Sequence, residues 1–282
     1  MLTLPSVEPI DYLIIGHITK DLTPQGPQLG GTASYSALTA RALGLRVGII
    51  TAVAPDLPLD IFAGISIVSI PTDQGTVFEN IYTPEGRIQY LYSTGPTLGF
   101  HMVPEAWRHT PIVHLGPIAQ EVEPSLVRAF PDSLVGLTPQ GWLRSWDSQG
   151  RVNLSEWPEA NYMLSNASAA VLSIEDLAND EARVEELIPA SRILVVTEGA
   201  AGARIYWNGD LRRVRPPQEK EIDPVGAGDI FAAAFFFRLY QTRDPWEAAR
   251  FATLLAANSV TRPGLSGVPT DEEIRSSLIQ VI

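Results

Sequence analysis

Apolar runs too short to be helices recur along this chain, with helix-like stretches between them. "DYLIIGHI" ends near Gly16, "RVGIITAV" and "ISIVSI" follow, and "PIVHLG", "SLVGLT", "ANYMLSN" and "RILVVTEG" repeat the pattern. These read as strands with few polar residues to face water, so both faces of their sheet must be covered. Between them, "ASYSALTARALG" (33–44) has helical spacing and a glycine stop at Gly44, and "SIEDLANDEARVEELIPA" reads as an acidic helix. Strands alternating with helices predict an α/β fold, a mainly parallel central sheet between two helical layers. Ligands in such sheets bind beyond the carboxyl ends of the strands. Gly16, the pair Gly30 and Gly31, Gly116 and the "TEGAAG" turn at 197–202 all closely follow candidate strands.

Residues 72–92, "TDQGTVFENIYTPEGRIQYLY", break the rhythm. They alternate polar and apolar around a "TPEGR" turn, the pattern of an antiparallel hairpin with one wet face. Two readings stand, a small sheet acting as a lid and an ordinary edge hairpin. With no repeats, linkers or low-complexity segments, residues 1–282 are expected to form one domain.

The chain carries 20 basic and 32 acidic residues, a net charge of −12, which argues against nucleic acid or an anionic membrane as partner. There are no cysteines, which excludes disulfides and thiolate metal sites and suits a cytoplasmic protein. "MLTLPSVEPID" lacks the basic-then-apolar order of a signal peptide. The longest apolar run, Ile230 to Phe237, falls far short of the roughly 20 residues that span a bilayer. A soluble protein is expected.

The densest chemistry lies in "EIDPVGAGDIFAAAFFF", residues 221–237. Two glycines flank Ala227 just before an apolar helix expected to start near Asp229. Free N–H groups at a helix N-terminus make an anion site. A carboxylate beside such a site can take a proton from an attacking hydroxyl, which is what phosphoryl transfer needs. Asp229 could equally be an N-cap with no chemistry, and the spacing alone leaves both open.

"DPVGAGDIFAAAF" resembles the C-terminal signature of the PfkB or ribokinase family of small-molecule kinases, D-T-x-G-A-G-D followed by an apolar helix. "GHITKD" (16–21), "LGGTASYSALTARALG" (29–44), "LSN" (164–166), "VVTEGAAGARIY" (195–206) and "AANSVTRPG" (256–264) resemble other family segments in the same order. The resemblance implies a three-layer α/β/α ribokinase-like fold with a β lid from about 72–92 plus part of 17–29. It implies that Asp229 is the base and that the Gly226, Ala227 and Gly228 amides form the anion hole. Asp21, Gly30 and Gly31 would hold acceptor hydroxyls. Asn166, Thr197, Gly199 and Gly202 would lie along ATP, with Asn258 near its base or ribose. Asp223 would help shape a monovalent-cation site, for K+ as an example, and a homodimer through the lids is implied from relatives.

The sequence also departs from the family pattern. The N-x-x-E motif, linked to Mg2+ and phosphate, is matched to "NASA", with Asn166 in place but Ala169 where Glu is expected, and neither Glu175 nor Asp176 is taken as its substitute. Mg2+ is therefore expected to arrive with ATP rather than in a protein cage. The usual G-x-D-x-x-G is reduced to "VAPDLPL". "HLGPIAQEV", "GLTPQGWLR" and "WDSQGRV" most resemble the myo-inositol kinase branch, and Asn80 or Glu79 of the hairpin would add acceptor contacts. Ribose, fructose or a nucleoside needs similar groups and stays an alternative, as does a catalytically weak sugar-binding module. The four histidines are too scattered for a metal site, there is no Walker lysine, and Trp142, Trp146 and Trp157 are expected to pack.

Overall fold

The computed structural model describes residues 8–24, 26–83 and 86–278. In chain order the elements are β1 (Tyr12–Ile15), β2 (Thr19–Thr23), β3 (Gly26–Gly30), α1 (Thr32–Ala42), β4 (Val47–Ala52), β5 (Ser66–Ile70), β6 (Val77–Thr83) and β7 (Gly86–Ser93). There follow β8 (Ile112–Leu115), β9 (Leu134–Leu137), β10 (Arg144–Trp146), β11 (Val152–Leu154), α2 (Ala160–Asn166), β12 (Ala169–Ser173), α3 (Glu181–Leu187) and β13 (Ile193–Thr197). The chain closes with β14 (Ala203–Trp207), β15 (Asp210–Val214), α4 (Ala227–Thr242), α5 (Pro245–Ser259) and α6 (Asp271–Leu278).

Nine strands form the central sheet in the order β15-β14-β13-β12-β9-β8-β1-β4-β5. The strands from β13 to β5 are parallel, and β14 and β15 run antiparallel at one margin. Strand β1 shows why its sequence has no polar alternation: Tyr12 and Ile14 join one core, Leu13 and Ile15 the other, and all four are fully buried. The first core takes in α1, α4 and α5, and the second α2 and α3. Helix α4 is buried from Ile230 to Phe237, which explains its lack of a polar face.

A four-stranded sheet, β3-β2-β6-β7, stands apart from the main one. Asn80 pairs with Gln89 and Phe78 with Leu91 across β6 and β7, so these four share one face. Pro84 and Glu85, the middle of the "TPEGR" turn, lie outside the described residues. Strand β7 is braced by a second hairpin, β10–β11, through Leu91 N–H to the Gly150 carbonyl at 2.8 Å. Gly150 has φ +81, and a Cβ there would lie 2.4 Å from the Leu91 carbonyl oxygen, so glycine permits this seam.

Two local expectations are corrected. "ANYMLSN" is helix α2, not a strand, because Ala160, Met163, Leu164 and Ala167 follow the helical i, i+3, i+4, i+7 period toward the core. The strand of that unit is the next segment, "AAVLS". The acidic helix is broken as well: a short turn at Ile174–Leu177 precedes α3, separated by Ala178 and Asn179 at φ 56 and 59. Those left-handed residues interrupt helical hydrogen bonding.

Candidate active site

Helices α1 and α4 both begin at the carboxyl edge of the parallel strands, and their first turns meet. Each is entered through a glycine in a conformation that favours glycine, Gly31 at φ 83 and Gly226 at φ 79. A Cβ on Gly31 would lie 2.6 Å from the His17 carbonyl oxygen, and one on Gly226 would lie 2.2 Å from the Tyr35 ring. A Cβ on Gly228 would meet nothing, so the chain leaves open space at the mouth of α4. The first helical bond there is Ile230 N–H to the Gly226 carbonyl at 2.9 Å. The Gly228 and Asp229 amides precede it, at the positive end of the helix dipole. Of the three expected anion-hole amides, that of Ala227 closes a turn onto the Pro224 carbonyl at 3.2 Å.

Asp229 stands in this first turn, partly buried. Burial pushes its carboxyl up to about 6, a hydrogen bond from the Thr32 hydroxyl pulls the other way, Asp176 pushes further up, Arg144 opposes, and Asp21 adds a smaller upward push. Three charged side chains, from β2, β10 and the turn after β12, thus act on Asp229 in α4. Thr32 is fully buried in the first turn of α1, which fixes the donor it offers.

Asp21 on β2 accepts the Thr19 hydroxyl at 2.7 Å. A Cβ on Gly30 would lie 2.2 Å from Asp21 Oδ2, so the glycine makes room for the carboxylate to lie over the backbone. Asn80 accepts a hydrogen bond from Gln89 at 2.9 Å, and Gln89 lines a cleft of about 290 Å³ together with Gln140, Arg144, Glu175 and Asp176.

Asp223 clamps the loop before α4, its carboxylate accepting the Val225 N–H at 3.0 Å and the Gly264 N–H at 2.8 Å. Thr197 ends β13, and the turn after it holds Gly199 and Gly202. A Cβ on Gly202 would lie 2.0 Å from the Val214 carbonyl oxygen, a packing reason for glycine, whereas Gly199 faces open space. Asn258 lies near the end of α5, its carbonyl accepting the Thr261 hydroxyl at 2.7 Å.

Asn166 is not brought to the cleft. It ends α2, ahead of β12, at the opposite end of that strand, with its Nδ2 donating to the Tyr162 carbonyl at 2.7 Å. The segment at the carboxyl end of β12 is Ser173-Ile174-Glu175-Asp176, which repeats the spacing of N-x-x-E with Ser and Asp at its ends. Asp176 accepts the Ser173 N–H at 3.0 Å and a hydrogen bond from Gln140 Nε2 at 2.8 Å. Reading α2 as the strand displaced the match by one element. Thr32, Gln89, Gln140 and Arg144 were also not foreseen. For Thr32 the signal was its place directly after the glycine pair.

Among the described residues, no three His, Asp or Glu side chains cluster to hold a metal ion. No described helix is long and apolar enough to cross a membrane.

The family model described as pfkB family carbohydrate kinase matches residues 143–272. A cytidine kinase of Thermococcus kodakarensis is 26% identical over 247 residues, 80% of this chain and 87% of that protein. An inositol 3-kinase of Oryza sativa subsp. japonica is 36% identical over 90 residues, 32% of this chain and only 22% of that protein. Among solved structures, a pyrophosphate-dependent myo-inositol-1 kinase converted into a myo-inositol-3 kinase superposes at TM-score 0.79 and 17% identity, covering 95% of this chain and 99% of that one. Arabidopsis thaliana ribokinase complexed with ribose and ATP does so at TM-score 0.72 and 15% identity, covering 96% and 99%. These likenesses show a ribokinase-like fold.

Proposed function

We propose that the chain moves the terminal phosphoryl group of ATP to a hydroxyl of a small polyol or sugar, with myo-inositol or a related cyclitol as acceptor, a reading supported by the match of residues 143–272 to the pfkB family carbohydrate kinase model. The observation that carries this reading is Asp229, a carboxylate with its acidity lowered to about 6, beside exposed first-turn amides of α4. Such a group is ionised at neutral pH and still basic enough to accept a hydroxyl proton.

In this reading the acceptor hydroxyl donates its proton to Asp229 as its oxygen bonds to phosphorus. The bond from phosphorus to the ADP oxygen breaks, and that oxygen keeps the electron pair. The amides at the mouth of α4 stabilise charge on the moving group, with Gly228 leaving room for it. Asp21, held over Gly30, orients acceptor hydroxyls with the backbone at Gly31, and the lid adds Asn80 with Gln89. Thr197, Gly199 and Gly202 flank the donor, and Asn258 stands toward its base or ribose. Mg2+, which neutralises donor charge when bound, fits as an ion carried by the donor phosphates, with Asp176 as the acid offered by the turn after β12. In the same reading K+ would be held beside the Asp223 carboxylate, whose two oxygens also accept the Val225 and Gly264 N–H groups.

Inositol as acceptor draws support from the inositol 3-kinase stretches, 36% and 38% identical over 90 and 77 residues. The cytidine kinase match, over 80% of this chain, favours a nucleoside as second reading. An ADP-release assay over myo-inositol, ribose, fructose, cytidine and adenosine separates them. Turnover of myo-inositol above the others is expected, and a chain stabilised by one of these yet phosphorylating none would be a binding module.

A further inference from the structure

Four passages of the chain join the central sheet to the lid, and all four meet at His17. His17 lies in the first, between β1 and β2, and is fully buried. Thr76 closes the passage into β6, and Gly95 and Pro96 lie in the passage out of β7. Gly31, between β3 and α1, packs on the His17 carbonyl oxygen, and a Cβ on Gly95 would lie 2.8 Å from His17 Cε1.

The His17 ring binds two of these passages. Its Nε2 lies 2.9 Å from the Pro96 carbonyl oxygen and its Nδ1 2.6 Å from the Thr76 hydroxyl. A carbonyl only accepts, so Nε2 carries a hydrogen. Burial pushes the imidazole below its ordinary value, against an upward pull from the Glu121 carboxylate and the Pro96 bond. In the neutral ring Nδ1 is then the acceptor, and the Thr76 hydroxyl donates to it. The same hydroxyl oxygen accepts the Gly95 N–H at 3.0 Å, so every hydrogen of the set is placed. The backbone here is anchored on the body. His17 gives its N–H to the Glu121 carboxylate at 3.0 Å, and Ile18 gives its own to the Thr51 hydroxyl at 2.8 Å.

Strands β2 and β6 leave this point side by side, with Asp21 opposite Phe78. Asp21, Phe78 and Asn80 therefore share one face of the lid. We propose that His17 is a positioning residue: it ties the β6 root of the lid, through Thr76, to backbone anchored on the body, and so fixes how that face is held over the acceptor. This rests on the phosphotransfer reading above. The bond to Thr76 carries the role, because Thr76 leads straight into β6 while Pro96 lies beyond the end of β7.

The test reads kcat, donor KM with ATP, and acceptor KM with myo-inositol or cytidine, whichever is turned over. Thr76→Val and His17→Gln both remove the Nδ1 bond, and each should raise acceptor KM about tenfold with donor KM kept. Thr76→Ser keeps the hydroxyl and His17→Asn keeps an acceptor at the Nδ1 position, so both should stay within about threefold of the native chain. Combining Thr76→Val with His17→Gln should cost no more than either alone, since both break one bond. Losses that multiply, an equal rise in His17→Asn, or a fall in kcat with acceptor KM unchanged would overturn the proposal and make His17 a packing residue. Exchange of the Gly95 amide, followed by NMR without substrate, needs no turnover. It should quicken about tenfold in Thr76→Val and stay native-like in Thr76→Ser. Native-like exchange in Thr76→Val would also overturn the proposal. Quickened exchange there, with a native chain that phosphorylates no acceptor, would sink the kinase reading while leaving the hold on the lid standing.

Discussion

Thr32 gives its hydroxyl to the carboxylate of Asp229, tying the first turn of α1 to the first turn of α4. Ser36, one turn further along α1, adds a bond from its hydroxyl to the Asp229 carbonyl at 3.3 Å. The proposed base is therefore set by a helix some 200 residues away in sequence, roughly the span from Thr32 to Asp229.

Removing that donor should retune the base. Thr32→Val keeps the shape and loses the hydroxyl, and hydrogen bonds to charged groups are worth about 1.5–3 kcal/mol. Thr32 lowers the Asp229 pKa, so its loss should move the acid limb of kcat/KM upward by about one unit. A pH–rate profile that does not shift would show the bond to be immaterial.

Asp229→Asn should cut kcat by about 10²–10⁴-fold with donor affinity kept. It should also stabilise the fold at higher pH. From about pH 4 to 6 the folded chain retains a proton that the unfolded chain has released, so the contribution of Asp229 to stability falls as pH rises through that window and stays lost above it. The variant should accordingly melt above the native chain at pH 8, and the gap should close near pH 4. Equal melting temperatures at both pH values would contradict the burial of this carboxylate.

Two neighbouring glycines should fail differently. Gly226→Ala forces a methyl within 2.2 Å of the Tyr35 ring at φ 79, so Tm should drop by about 5 °C or more. Gly228→Ala meets no protein atom and should leave Tm nearly unchanged while raising the donor KM or lowering kcat. Full activity in Gly228→Ala would show that no phosphoryl group enters that space.

The two candidate phosphate-side residues should separate in the same way. Asn166→Ala, at the far end of β12, should leave kcat within about twofold. Asp176→Asn should lower kcat about tenfold or more, with a weaker dependence on Mg2+ concentration. The reverse ranking would restore Asn166 to the site.

Much of the architecture was legible because burial on both faces leaves an unmistakable mark: Leu13 and Ile14 point to opposite cores and both must be apolar. The glycine turn before Asp229 was legible for a similar reason, since backbone that must approach a ring and leave space beside it admits little else. "ANYMLSN" misled because its apolar residues, Ala160, Met163 and Leu164, are too few to fix a period, and only Met163 and Leu164 facing one core together decide for a helix. The β14–β15 hairpin carried a readable signal in Asn208-Gly209, both at positive φ, and it was passed over. Arg144 could not be read this way, because its place in the cleft comes from strands β9 and β12 lying side by side, a relationship with no local imprint. Asp176 did carry a local signal, the spacing from Ser173, which the misread α2 concealed.

Because Leu91 already gives its N–H to Gly150, the flank of the lid formed by β7 has a tenant. A neighbouring molecule adding its own strand there would have to evict the β10–β11 hairpin. A continuous sheet crossing from one copy of the chain to another is thus left to the opposite flank, Gly26–Gly30, which turns its backbone outward from the four-stranded set.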